Sequence, residues 1–95
     1  MIKFPKWVVG KRSDTDAARA TRRLRYLVMR AAIEHTDGCT ITAFADFVGL
    51  DRGVVHWSMR TGSFSVPAAV QIQEKCGEAL MPKSWLIFPL EIVSE

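Results

Sequence analysis

The chain has 95 residues, 48% of them hydrophobic and 24% charged, with a formal net charge of +3. That length holds one compact core, and the mixture excludes an intrinsically disordered chain. No apolar run approaches the roughly 20 residues of a membrane span, and Met1 to Trp7 lacks a signal-peptide core, so a cytoplasmic protein with no membrane partner is expected.

The charge is unevenly placed. Residues 1–30 hold nine Lys or Arg against Asp14 and Asp16, whereas the remainder holds four against eight acidic residues. A positive N-terminal third suits a polyanionic partner, and it equally suits a solvated basic surface. Cys39 and Cys76 have no CxxC partner and no metal-ligand spacing with His35 or His56, so both are expected as buried thiols and no metal or cofactor is expected.

Residues 1–12 mix Pro5 with Ile2, Phe4, Trp7, Val8 and Val9 and read as an extended arm or short strand ending at Gly10. Ser13 and Asp14 offer N-cap chemistry for a helix over 16–35, with Asp14 and Asp16 at the positive end of its dipole. At 100° per residue, Ala17, Ala20, Leu24, Leu27, Val28 and Ala31 form its core arc. Arg19, Arg22, Arg23 and Arg30 gather on the opposite arc with Tyr26. Asp37-Gly38 is expected to end this helix.

Thr40 can cap a short helix over 41–48, in which Phe44, Ala45 and Val48 share a face before Gly49 stops it. Asp51 can cap the next, 52–60, with Val54, Val55 and Met59 as its apolar members. Thr61-Gly62-Ser63 is a turn. Ser65-Val66-Pro67 opens a helix that runs to Cys76-Gly77 and buries Val70, Ile72 and Cys76, because proline in a first turn loses no hydrogen bond. Met81-Pro82 starts one more helical turn through Trp85, and Phe88-Pro89 predicts an extended tail over 90–93. The expected organisation is a single domain: an arm (1–12), a helical core (14–80) and a tail (82–95).

Within 40–60, several requirements coincide. Gly49 stands where a tight interhelical turn needs no β-carbon, Ala45 stands four positions earlier where two helices must approach, and Phe44, Val48, Leu50 and Val55 can build a small core between them. This segment resembles the helix-turn-helix of the lambda-repressor and Cro family, and Arg60 to Gly77 looks like the turn and helix that follow it in small Cro-like phage and prophage repressors. The resemblance covers about residues 24–90. It implies a mainly α fold of four to five short helices, with extended or short β flanks at both termini. It also implies a homodimer on double-stranded operator DNA, whose reading helices address half-sites about 34 Å apart.

The same resemblance assigns roles. Asp51, Arg52, Gly53, His56 and Trp57 are the candidate base-reading residues, with Arg52 suited to a bidentate guanine contact or else to a phosphate or to Asp51. Thr42 and Arg60 are candidate phosphate contacts, and Arg19, Arg22, Arg23 and Arg30 could add further ones. Two departures stand out. Trp57 lies one position before the tryptophan of many relatives, with Ser58 in its place, so either Trp57 faces DNA or the helix is rotated. Gly53 interrupts the helix at a cost of about 1 kcal/mol, through fraying or to let DNA approach the backbone.

No nucleophile arrangement, phosphate-cradling loop or carboxylate pair signals an enzyme. No room remains for a sensor domain, so no small-molecule ligand is expected. A second reading keeps the scaffold but binds protein, as an antitoxin or a phage host-takeover factor would. The apolar flanks 4–9 and 85–93 could pack over the core or across a two-fold axis, with the C-terminal tail favoured as part of the dimer contact.

Overall fold

The computed structural model describes residues 2–11 and 14–92. In chain order the helices are α1 (Lys6–Val9), α2 (Asp16–His35), α3 (Ile41–Val48), α4 (Arg52–Thr61), α5 (Val66–Cys76) and α6 (Lys83–Ile87), followed by a 3₁₀ turn, Pro89–Glu91. The protein is mainly helical, and no strand occurs among the described residues.

The 20-residue α2 is the central element. It packs against α1, α3, α4 and the 3₁₀ turn, while α5 joins α3 to α6. Its buried face is Ala20, Leu24, Leu27, Val28, Ala31 and Ala32, the arc that the 3.6-residue period requires. All but Ala20 meet Phe44, Val48, Val55, Phe64, Ile72, Met81 and Leu86 in one core that reaches from Ile2 to Ile92. Fully burying each large apolar side chain contributes about 1.5–3 kcal/mol, so this cluster dominates the stability of a chain this size.

Several local expectations are corrected. Ala17 is exposed. Thr15 is the cap of α2, its hydroxyl accepting from the Ala18 amide at 3.2 Å; Ser13 lies outside the described residues. The helix stops at Thr36 rather than at Asp37-Gly38, since the Thr36 hydroxyl donates to the Ala32 carbonyl at 2.6 Å and the backbone turns extended there.

Both flanks, expected as extended or short β segments, carry short helical turns within otherwise irregular chain. In the arm, Pro5 precedes a single turn that buries Val8 and ends at Gly10 with φ 68°. That φ, with ψ -160°, is a conformation that favours glycine, and a β-carbon there would also push aside the ends of Arg22 and Asp14, 2.2 and 2.3 Å away. In the tail, α6 extends to Ile87 and the 3₁₀ turn carries the chain to a buried Ile92; Val93 lies outside the described residues. Leu86 is buried and its carbonyl accepts from the Phe64 amide at 3.0 Å, so this segment packs on its own core. Cys76 is buried as expected, but Cys39 is exposed in the loop before α3.

Candidate nucleic-acid interface

The α3–α4 pair is built from its caps outward. Thr40 receives the Ala43 amide at 3.1 Å and starts α3. Gly49 ends it in the left-handed region at φ 75°, with the Gly49 and Leu50 amides both donating to the Ala45 carbonyl, at 3.0 and 3.1 Å. Asp51 then starts α4 by accepting from the Gly53 amide at 2.8 Å. The Gly49, Leu50 and Gly53 amides are thereby satisfied within the pair.

A contact from outside the pair locks this turn. Gln71, on α5, donates through Nε2 to the carbonyls of Val48 at 2.8 Å and Gly49 at 3.0 Å. Those carbonyls are left without intrahelical partners when α3 ends. Sequence reasoning missed Gln71, because a polar residue on a helical face gives no sign of carbonyls more than 20 positions away.

The register of α4 settles which side chains face out. Val55, Ser58 and Met59 are buried against α2 and α3. Ser58 thus takes the inward place, and Trp57 is 64% exposed. Val54, expected among the apolar members, is 43% exposed. The helix ends at Gly62, φ 91°, where an added β-carbon would lie 3.3 Å from that of Ala20. This close approach seats the end of α4 on α2.

Gly53, His56, Trp57 and Arg60 line one solvent-open depression of about 300 Å³. Asp51 and Arg52 stand exposed at the start of the same helix, and Thr42 is exposed on α3. Arg52 does not pair with Asp51, which is occupied as the cap; its Nη2 donates to Asp46 of α3 at 3.3 Å, with both side chains more than half exposed. A β-carbon at Gly53 would stand 2.9 Å from the capping Asp51 Oδ1, so a larger residue there would press on the cap.

The α2 arginines lie in a different setting. Arg22 pairs with Asp14 at 2.7 Å. Arg23 donates through Nη1 to the carbonyls of Pro89 at 2.9 Å and Ile92 at 3.3 Å, and its guanidinium lies 5.1 Å from the centre of the Phe4 ring. Arg30 donates to the Leu80 carbonyl and sits 5.7 Å from the Trp85 ring, with its buried Nε lacking a partner among the described residues. Arg19 makes an exposed ion pair with Asp16 at 3.4 Å. Three of the four thus hold the arm and tail onto α2, and the structure does not bring them into the α4 depression.

No group of three or more His, Cys, Asp or Glu side chains able to hold a metal occurs among the described residues, and no helix there is long and apolar enough to cross a membrane. No protein-family model matches the chain, and no match is found among curated proteins or solved structures.

Proposed function

We propose that the protein binds double-stranded DNA sequence-specifically as a Cro-like transcriptional repressor, laying α4 into the major groove. The observation that carries this reading is the outward face of α4. Arg52, His56, Trp57 and Arg60 project from it around a residue without a side chain, while Val55, Ser58 and Met59 anchor its other face. A major groove about 12 Å wide admits a helix, and Arg, His and an aromatic ring supply donors, acceptors and an apolar surface for base edges.

Arg52 is the candidate guanine reader. Asp46 holds its guanidinium beside the start of α4 before any DNA arrives. Thr42 and Arg60 fit the phosphates that flank the reading helix, setting affinity and its salt dependence while α4 sets sequence choice. The resemblance implies two copies whose α4 helices address half-sites one turn of DNA, about 34 Å, apart.

Selection from a random duplex library, followed by binding at two salt concentrations, tests this reading. Enrichment of a two-fold-related motif whose affinity falls with salt is the expected result. No enrichment, with equal retention of every duplex, would sink it.

One observation favours a second reading, a protein-interaction module. Val54 and Trp57 are exposed together beside a groove of about 590 Å³ that reaches Phe64. An exposed tryptophan at the edge of a groove of mixed lining can anchor a protein partner. Partner binding that survives the loss of Arg52 and His56 but not of Trp57 would select it.

A further inference from the structure

We propose that the cleft between α1 and the first turns of α2 is a phosphate-binding site. The cleft has a volume of about 320 Å³ and is lined by Phe4, Val8, Val9, Gly10, Lys11, Arg19 and Arg23. Three of those side chains are cations and none is an acid. The two carboxylates nearby are already engaged: Asp14 accepts from Arg22 and from the Lys11 amide, and Asp16 pairs with Arg19. Counting Arg22 with the three lining cations, the neighbourhood keeps an excess of two positive charges over those two acids.

The geometry is prepared for an anion rather than a chance of surface lysines. Arg23 is part-buried and anchored by Nη1 to the tail carbonyls of Pro89 and Ile92, over the Phe4 ring. Its orientation is therefore fixed before a ligand binds, and a planar guanidinium held in place can meet two oxygens of a phosphate at once. Burial and the neighbouring positive charge of Arg19 both disfavour its charged form, the condition that an incoming anion relieves. Gly10, at φ 68° where a side chain would be strained, brings the end of α1 into the lining of the same cleft. The cleft lies outside the α4 depression, so the inference does not rest on the DNA-binding reading.

Phosphate chemistry reaches such a cleft either as a free phosphate or phosphate ester, or as the backbone of a duplex. A ¹H–¹⁵N NMR titration separates the two. The folded protein receives inorganic phosphate, then pyrophosphate, each against sodium chloride at equal ionic strength, and finally a short duplex. Saturable shifts of the Val9, Gly10, Lys11 and Arg19 amides with phosphate are expected, weakened at least tenfold in a Lys11→Gln/Arg19→Gln variant. Lys11→Gln alone, at an exposed position, guards against loss of folding in the double variant and is expected to weaken binding in the same direction.

If the duplex moves the same amides and phosphate competes with it, the backbone is an occupant; if the duplex leaves them unmoved, a free phosphate is. Shifts that never saturate, that chloride reproduces, or that persist undiminished in both variants would overturn the proposal.

Discussion

Replacing Gln71 with Met keeps the length of the side chain and removes both hydrogen bonds to the end of α3. The bond to Val48 is part-buried, so its carbonyl loses its partner with little access to water, whereas the Gly49 carbonyl is exposed and can be hydrated. Hydrogen bonds contribute about 0.5–1.5 kcal/mol each, and the hydrated one is worth the lower figure, which gives a total of about 1–2 kcal/mol. In a domain of this size each kcal/mol moves the melting temperature by about 4–8 °C. Urea unfolding followed by circular dichroism measures the change directly. A companion change sharpens it: Gly49→Ala costs about 1–2 kcal/mol for a left-handed residue with a β-carbon, and that β-carbon would also lie 3.2 Å from Gln71 Nε2. The two substitutions should therefore couple by about 0.5 kcal/mol or more in a double-mutant cycle. A Gln71→Met variant within about 0.3 kcal/mol of wild type, or strictly additive effects, would refute the lock between α5 and the interhelical turn.

Asp14 supplies a pH signature. The Lys11 amide donating into its carboxylate, opposed by burial and reinforced by Arg22, holds its pKa below the ordinary 3.8. A lowered folded pKa stabilises the fold above the unfolded value and is lost as pH falls through the folded one, so wild type should out-melt Asp14→Asn at neutral pH and lose that lead as the pH drops below about 4. Trp57→Ala should change stability by no more than about 0.5 kcal/mol, since the ring is solvent-facing, while lowering affinity for the selected duplex; thermal melts and binding titrations read the two separately. Of the two thiols, native protein should present only Cys39 to a thiol reagent, with Cys76 reacting after unfolding because burial shields it and pushes its pKa up.

Local chemistry was the legible part of this fold. Thr40 and Asp51 cap their helices as their side chains predict, Gly49 takes the left-handed turn, and the periodicity of α2 finds Ala20, Leu24, Leu27, Val28 and Ala31 but wrongly adds Ala17 and misses Ala32. What escaped was decided by distant partners. The arm contains β-branched and aromatic residues that suggest a strand, but no strand occurs among the described residues, and Lys6–Val9 closes its hydrogen bonds locally as one helical turn. The arginine arc of α2 is a real stripe, yet periodicity cannot reveal that Arg23 would find carbonyls 66 and 69 positions away and Arg30 one 50 positions away. For the candidate site, the family resemblance named Asp51, Arg52, Gly53, His56, Trp57 and Arg60, of which Gly53, His56, Trp57 and Arg60 line one depression; Asp46 and Gln71, which contact Arg52 and the turn, have no sequence signature of that work.

The most direct test of the central proposal is a fluorescence-anisotropy titration of wild type and Arg52→Ala against a duplex from upstream of the protein's own gene and a scrambled duplex, each at two salt concentrations. Upstream-selective binding that weakens with salt, and a loss of selectivity in the variant worth about 1–3 kcal/mol or about 5- to 150-fold, is the predicted result. No binding, or binding indifferent to both sequence and substitution, would contradict the DNA-reading role of α4.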